Sequence, residues 1–376
     1  MTSDISAQLD TLPEPVLDDL RRFGFDQEWF VEEVASLQSE GRSDNQVRGD
    51  IAPPEPDDIV DLPSGDTAEG QRAARRGEEA LASGECALVV LAGGMATRMG
   101  GVVKALVEAL PGRTFLDLRL AEQETLERRT GCTVPLWLMT SHATDGPIRE
   151  ALGARLDGYR VAVFPQRVSL RLTPDGELLR DTEGNVSEHS PGHGDLPEAL
   201  QASGLLDRFI EEGGRYVTSA NLDNLGATLD PIVVGTHALG GCPVTCEVVD
   251  KVGTDKGGIP VRLDGRPVIL EEFRIPPTFD ASQVRVFNTN TFHFDADPLR
   301  DLSMPWTYFV VQKRVEDREV IQFERLVNEV ASHLATGFLR VPREVPRTRF
   351  LPIKDEGDLV GMREEIAAVA RDRGMV

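Results

Sequence analysis

An apolar run that ends in a glycine-rich loop constrains the fold of this chain more than any other feature. The run Ala87–Leu91 reads ALVVL, which predicts a buried strand. The loop that follows, LAGGMATRMG (91–100), is rich in glycine, and glycine has no Cβ to keep backbone N–H groups away from phosphate oxygens. Arg98 and Lys104 can neutralise phosphate charge. A phosphate site at the carboxyl end of a strand indicates an open α/β sheet.

The loop fits neither of two familiar phosphate-binding patterns. The spacing from Gly94 to Gly100 is one residue too long for a P-loop, and no Gly-Lys-Ser/Thr follows. The pattern G-x-G-x-x-G is also absent, which argues against a dinucleotide site. A tight turn from strand to helix without a ligand is the alternative, but such a turn would not need Arg98 and Lys104.

Strands and helices alternate from residue 87 onward. We expect strands over 87–91, 134–140, 161–164, 215–220, 243–249, 284–294, 307–313 and 319–323. We expect helices near 66–83, 115–129, 145–152, 195–203 and 324–335. This alternation predicts an α/β fold with a mostly parallel mixed sheet flanked by helices.

The ends of the chain differ from its middle. Residues 12–38 have helical periodicity on both sides of Gly24, and residues 39–65 are rich in Pro, Asp and Gly, which is typical of a linker. We therefore divide the chain into an N-terminal helical extension with its linker (1–65), a main domain (66–359) and a helical tail (360–376).

The charge balance limits the classes of partner. The net charge is −23, from 63 acidic and 40 basic residues, which argues against binding to nucleic acid or to an anionic membrane. Four scattered cysteines do not form a disulfide framework. The start MTSDISAQLD has no signal-peptide pattern, and no apolar run is long enough to cross a bilayer. We expect a cytoplasmic protein.

Further motifs follow the loop in a fixed order. They are SPGHGDLPEALQASGLLDRFIEEGGRYVTSANLDNLGATLDP (190–231), CEVVDKVGTDKGG (246–258), VFNTNTFHF (286–294) and VPRTRFLPIKDEGDL (345–359). Together with the loop, they resemble the motifs of UTP–glucose-1-phosphate uridylyltransferases, the UDP-glucose pyrophosphorylases. The resemblance implies a nucleotide-diphospho-sugar transferase fold (GT-A, Rossmann-like) over the main domain. Ala96 departs from the family glycine, and Val311-Gln312 stand where the family has Asn-Pro.

The resemblance implies uridylyl transfer from UTP to glucose 1-phosphate, with UDP-glucose and pyrophosphate as products. A phosphate oxygen of the sugar phosphate attacks the α-phosphorus of UTP in line with the departing pyrophosphate, and Mg²⁺ is the implied cofactor. Galactose 1-phosphate or N-acetylglucosamine 1-phosphate could take the place of glucose 1-phosphate. A catalytically silent regulator that binds a nucleotide or a sugar is the alternative from another class.

The family motifs also imply roles for individual residues. The catalytic cations are Arg98, Lys104, Lys251, Lys313 and Lys354. The nucleotide-binding residues are Leu91, Ala92, Gly93, Gly94, Gln166 and Gly192. The sugar-binding residues are His193, Gly194, Asn221, Asn288 and Asn290, and the metal ligand is Asp223. Eukaryotic members continue into a C-terminal β-helix that this sequence does not contain, so the oligomeric state cannot be transferred.

Overall fold

The computed structural model of the chain describes residues 5–40, 45–96, 100–253, 255–305, 307–315 and 317–376. The helices are α1 (Ile5–Leu9), α2 (Glu14–Arg22), α3 (Gln27–Glu40), α4 (Ala68–Ala82), α5 (Phe115–Thr130), α6 (His142–Leu152), α7 (Leu196–Ala202), α8 (Leu205–Glu211), α9 (Pro231–Gly240), α10 (Ala296–Arg300), α11 (Glu356–Gly361) and α12 (Arg363–Asp372).

The strands are β1 (Ile51–Ala52), β2 (Ile59–Asp61), β3 (Cys86–Leu91), β4 (Met95–Ala96), β5 (Val102–Val103), β6 (Glu108–Leu110), β7 (Arg113–Thr114), β8 (Leu136–Thr140), β9 (Val161–Pro165), β10 (Ser169–Leu170), β11 (Glu188–His189), β12 (Tyr216–Asn221), β13 (Val244–Asp250), β14 (Ile259–Leu263), β15 (Arg266–Leu270), β16 (Val286–Asp295), β17 (Phe309–Val315), β18 (Arg318–Glu324) and β19 (Thr336–Arg340).

Within the described ranges, eight strands form the central sheet, in the order β2-β19-β13-β16-β12-β3-β8-β9. Neighbours run parallel except at β16, which is antiparallel to both β13 and β12. The carboxyl ends of the parallel strands therefore lie at one edge of the sheet. The start of β16 lies at the same edge, because β16 runs in the opposite direction. The expectation of a mostly parallel mixed sheet is confirmed.

The side chains of the sheet alternate between two apolar cores, one on each face. In β3, Ala87 and Val89 belong to one core, and Leu88 and Val90 belong to the other. Helices α7 and α8 cover the first face, whereas α5, α6 and α12 cover the second. Helices on both faces explain why the central strands are apolar on both sides.

The N-terminal helices form a third core with elements that lie far away in the sequence. Gly24 has a φ of 66° and separates α2 from α3, as the periodicity predicts. Leu20 and Phe30 are buried together with Leu170 of β10 and Phe323 of β18. The extension therefore packs against the hairpin of β17 and β18 rather than lying apart from the main domain.

The structure differs from the expected organisation in three segments. In the expected linker, β1 pairs with β14 and β2 pairs with the outer side of β19, because the prolines lie between these short strands and leave their pairing intact. The helix expected over 324–335 is a short 3₁₀ segment, Val327–Ser332. In the expected helical tail, helix α12 packs against the rest of the fold, since Ile366 and Val369 are fully buried.

Among the helices in the described ranges, none has the length and apolar character needed to cross a bilayer.

Candidate active site

A cavity of about 510 Å³ opens at the edge of the sheet where the parallel strands end. Its wall contains Leu91, Gly93, Gly94, Met95, Lys104, Met139, Ser141, His142, Ala143, Gln166, Arg171, Glu188, His189, Ser190, Gly192, His193, Asn221, Leu222, Asp223, Lys313, Gln322 and Glu324. These residues come from the ends of β3, β8, β9 and β12 and from the β17–β18 hairpin. The fold thus brings together residues that lie more than 200 positions apart in the sequence.

Lys104 and Asp223 form an ion pair in the wall of this cavity. The Nζ atom of Lys104 lies 2.7 Å from Oδ2 of Asp223, and the two side chains are 19% and 15% exposed. Asp223 follows β12, and the backbone N–H of Lys104 donates to the carbonyl of Gly94 in the glycine-rich loop. The fold therefore joins the predicted phosphate-binding lysine to the predicted metal ligand.

The loop that carries Asp223 is held from two sides. The buried guanidinium of Arg119 in α5 donates to the carbonyls of Asn221, Asn224 and Ala227, at 3.2, 2.7 and 3.0 Å. The side chain of Asn224 bonds the backbone of a second segment, donating to the carbonyl of Arg349 and accepting from the N–H of Leu351. These contacts fix the carboxylate of Asp223 relative to helix α5 and to the segment that leads to Lys354.

Gln166 packs directly against the glycine-rich loop. A Cβ added at Gly93 would lie 2.3 Å from Nε2 of Gln166 and 3.3 Å from the backbone N of Ser141, so a larger residue here would displace the Gln166 side chain. The amide oxygen Oε1 of Gln166 is buried without a hydrogen-bond partner in the described residues. A buried acceptor without a partner suits a ligand that brings an N–H group.

His193 lies in the cavity wall, and one of its ring nitrogens is already bonded to the backbone. Its Nδ1 accepts from the backbone N–H of Val327 at 3.1 Å, so the ring proton is on Nε2. Burial lowers the pKa of His193 to about 4, although the charge of Glu324 opposes this shift. The imidazole is therefore uncharged at neutral pH.

The glycines on either side of His193 differ in position. Gly192 lines the cavity and has a φ of 103°. Gly194 does not line it, and a Cβ there would come within 2.3 Å of the backbone N of Leu326. Close packing between two backbone segments accounts for glycine at position 194, and the sugar contact of Gly194 stays a prediction.

Asn290 connects the start of β16 to the cavity wall. It has a φ of 59°, which is uncommon for a residue inside a strand, and its Nδ2 donates to Oδ1 of Asn221 at 2.8 Å. Its own Oδ1 is buried without a partner in the described residues. The side-chain oxygen of Asn288 is less available to a ligand, because this Oδ1 already accepts from the N–H of Asn290 and from Sγ of Cys246. Neither Asn288 nor Asn290 belongs to the lining residues themselves.

Three further predicted residues lie away from the cavity wall, and a fourth cannot be located. Ala92 is buried beneath the loop. Lys251 is half-buried just after β13, where burial lowers its pKa. Lys354 is exposed. Burial would raise the pKa of Asp255, but Arg343 and, to a smaller extent, the charge of Lys354 lower it. Arg98 lies outside the described residues.

The cavity also contains charged residues that the sequence analysis missed. Nε2 of His142 lies 2.6 Å from Oε2 of Glu188, and Lys313 is ion-paired with Glu324 across the β17–β18 hairpin. Arg171 follows β10 and lines the same part of the wall. No motif marked His142, Arg171, Glu188 or Glu324. His142 follows the end of β8, whereas the other three reach the cavity through tertiary packing.

A larger cavity, of about 910 Å³, lies elsewhere and lacks comparable chemistry. Most of its arginines already have carboxylate partners, in the pairs Arg340–Asp61, Arg349–Glu247 and Arg373–Asp230. In the described ranges, no cluster of three or more His, Cys, Asp or Glu side chains could hold a metal ion without a ligand's help. The smaller cavity is therefore the candidate active site.

Comparison with known proteins agrees with the motifs. A model of the family described as UTP–glucose-1-phosphate uridylyltransferase matches residues 28–375. The enzyme of that name from Hordeum vulgare is 31% identical over 307 residues, covering 74% of this chain and 62% of the relative. The one from Saccharomyces cerevisiae is 31% identical over 301 residues, covering 74% and 59%. The chain thus spans about three fifths of the length of these curated relatives.

Solved structures with the same fold include proteins from Trypanosoma brucei and Leishmania major. The UDP-glucose phosphorylase of Trypanosoma brucei superposes with a TM-score of 0.74 at 24% identity, covering 92% of this chain and 77% of that one. A mutant UDP-glucose pyrophosphorylase of Leishmania major, solved with UDP-glucose, gives a TM-score of 0.73 at 24% identity, covering 96% and 79%. These likenesses support the fold, and the family match covers nearly the whole sequence. The chain belongs to the UTP–glucose-1-phosphate uridylyltransferase family.

Proposed function

We propose that this chain transfers the uridylyl group of UTP to glucose 1-phosphate. An oxygen of the sugar phosphate forms a bond to the α-phosphorus of UTP, and the bond from that phosphorus to the oxygen bridging to the β-phosphorus breaks. The products are UDP-glucose and pyrophosphate. The family match and the relatives that carry this name support the reaction.

The observation that carries the proposal is the Lys104–Asp223 pair beside the glycine-rich loop. Phosphoryl-type transfer needs little covalent chemistry from the protein, so positioning and charge stabilisation account for most of the catalysis. Lys104 is placed to hold phosphate oxygens that approach the loop. Lys313 is a second cation in the same wall.

Neutral polar groups in and beside the cavity wall can recognise the base and the sugar. Gln166 offers an amide donor and an unpartnered buried oxygen beside Gly93, which suits the imide edge of uracil. His193 offers an Nε2–H donor, and Asn290 offers a buried oxygen without a partner in the described residues. We propose that the last two groups contact the sugar phosphate. Lys251, Lys354 and Arg98 remain predicted cations.

The residues at the site fit a magnesium ion that arrives with the nucleotide. Mg²⁺ usually binds through one or two carboxylates and takes its other oxygens from phosphates and water. Asp223 supplies one carboxylate at the cavity wall, which is sufficient only if phosphates supply further oxygens. When bound, the ion would neutralise charge that develops on the phosphates. The cytoplasmic location expected from the sequence also remains a prediction.

The test is pyrophosphate release by the purified chain. UTP and Mg²⁺ are supplied with glucose 1-phosphate, galactose 1-phosphate or N-acetylglucosamine 1-phosphate in parallel, with an EDTA-treated reaction as control and the nucleotide product identified by mass spectrometry. We expect release with glucose 1-phosphate, formation of UDP-glucose, and kcat/KM highest for that sugar.

Two results would overturn the proposal. Efficient pyrophosphate release with only another sugar phosphate would keep the uridylyl-transfer reaction but replace glucose 1-phosphate as the substrate. UTP binding by a folded chain, without release in any reaction, would identify a silent nucleotide-binding protein.

A further inference from the structure

Arg171 is a half-buried cation in the cavity wall whose hydrogen-bond partners are all uncharged. Its Nε donates to Oε1 of Gln322 at 3.1 Å, and its Nη1 donates to Oγ of Ser187 at 3.1 Å and to the carbonyl of Glu188. In the described part of the chain, no carboxylate lies within ion-pair distance of this guanidinium, and Nη2 has no hydrogen-bond partner.

The lysines in the described wall differ from Arg171 in this respect. Lys104 is paired with Asp223, His142 is next to Glu188, and Lys313 is paired with Glu324. Among the arginine and lysine side chains of the described wall, Arg171 is therefore the one without a carboxylate partner.

Burial lowers the pKa of Arg171, and the charge of Glu324, which forms no ion pair with it, offsets this only in part. Burial and then the charges of Arg171, Lys313 and His142 lower the pKa of His189 to about 3, although its bond to the Ser190 carbonyl opposes this. A charge taken out of water without a counter-ion is costly, so an arginine in this position is best satisfied by an anion that enters the cavity. The planar guanidinium with a free Nη2 suits phosphate oxygens.

Lys313 can join Arg171 in holding such an anion. Glu324, its present partner, also accepts from Nε2 of Gln322, so the carboxylate keeps a donor if Lys313 turns toward a ligand. Gln322 in turn accepts from Arg171, which links the two cations through one network.

We infer that Arg171, with Lys313, forms a phosphate-binding site in the candidate active site. The phosphate belongs either to pyrophosphate or to the sugar 1-phosphate, and this choice of ligands rests on the proposed function. Arg171 holds the phosphate group through Nη2 and orients it, while its other nitrogens stay bonded to Gln322 and Ser187.

The test measures ligand binding in the absence of turnover. Wild type, Arg171→Gln, Arg171→Lys and Arg314→Gln are titrated with sodium pyrophosphate and, separately, with glucose 1-phosphate by isothermal titration calorimetry. Arg314 is the matched control, because it is the neighbour of Lys313, is 72% exposed and does not line the cavity. Thermal unfolding is measured for every variant.

We expect Arg171→Gln to raise the Kd of one of the two ligands at least about tenfold, the effect of losing roughly 1.4 kcal/mol. Arg171→Lys should show a smaller loss, and Arg314→Gln should show none. In steady-state assays, the KM for the same ligand should rise more than kcat falls. The ligand affected identifies which phosphate Arg171 holds.

Unchanged Kd values for both ligands in Arg171→Gln would overturn the inference. If that variant does not fold, Arg171→Lys carries the test, and wild-type affinity for both ligands in Arg171→Lys would overturn the inference as well. A loss of pyrophosphate binding in a chain that shows no uridylyl transfer would support the phosphate site and reject the proposed function, so the two can fail separately.

Discussion

Two ion pairs in this molecule have similar chemistry and opposite surroundings. The Glu247–Arg349 pair lies inside the fold, where the side chains are 0% and 1% exposed, and Nε2 of His293 donates to the same carboxylate at 2.8 Å. The Lys104–Asp223 pair lies in a cavity wall and is partly exposed. A ligand in the candidate active site can contact the second pair, whereas the first pair is almost completely buried beside the larger cavity. The comparison indicates that accessibility, rather than the presence of charge, separates a candidate catalytic pair from a structural one.

The two pairs are connected through one backbone segment. Arg349 holds Glu247 and also donates to the carbonyl of Thr228, and its own carbonyl accepts from Asn224, next to Asp223. The buried pair therefore supports the loop on which the open pair depends. Changing each pair separately tests whether one serves the fold and the other serves the reaction.

The largest effect is expected for Asp223→Asn. The substitution keeps the shape of the side chain and removes its charge, so we expect turnover to fall about a thousandfold, the scale seen when one charge-stabilising group is lost. The unfolding free energy should fall by about 1–3 kcal/mol, because one hydrogen bond to a charged group is weakened. Steady-state kinetics and urea unfolding measure the two quantities.

The matched control is Asp250→Asn. Asp250 ends β13 at the same edge of the sheet, but its side chain is 62% exposed and does not line the candidate active site. Near-normal turnover in Asp223→Asn would remove this carboxylate from the mechanism.

The next effect is expected in stability, for Glu247→Gln. Removing one partner leaves Arg349 charged and buried, which costs about 3–5 kcal/mol of unfolding free energy. The loss should be measured by urea unfolding at pH 7. An unfolding free energy equal to that of wild type would show that the buried pair does not support the fold.

The cost of Glu247→Gln should depend on pH. Burial alone would raise the pKa of Glu247, but Arg349 and His293 lower it to about 2. A carboxyl with a lowered pKa in the folded state stabilises the fold fully above its unfolded value of about 4.3. The stability advantage of wild type should therefore decline as the pH falls from about 4.3 toward 2. An advantage that stays constant through this range would contradict the lowered pKa.

The smallest effect is expected in metal binding by Lys104→Gln. The ammonium group at 2.7 Å from Asp223 repels a divalent ion, so its removal should tighten the binding of free Mn²⁺ at least about tenfold. Electron paramagnetic resonance without nucleotide measures this binding, and Lys256→Gln, at a pair 74% and 64% exposed, is the control. Weaker Mn²⁺ binding in Lys104→Gln would mean that the lysine does not compete for the carboxylate.

The sequence predicts the central strands well because their signal is local. Ala87–Leu91 and Leu136–Thr140 are apolar on both sides, and the structure places them as neighbours in the sheet. Strands β14, β15 and β19 were missed, because Ile259–Leu263, Arg266–Leu270 and Thr336–Arg340 are short and mix polar with apolar residues. Their strand conformation depends on pairing with distant partners.

The candidate site likewise contains residues that the sequence predicts and residues that it does not. Gly93, Gln166 and Asp223 each follow a strand that the sequence predicts, so their common edge could be predicted from the order of the strands. Arg171 and Glu324 belong to segments that pack with the N-terminal helices in one apolar core and line the cavity through tertiary contacts. Neither local periodicity nor spacing contains that information.

The most direct test of the account is a crystal structure of the chain with UTP and Mg²⁺. We predict uracil against Gly93 and Gln166, with the phosphates between Lys104 and the wall that contains Arg171 and Lys313. Nucleotide bound elsewhere, for example in the larger cavity lined by Arg340 and Arg373, would contradict the assignment of the active site.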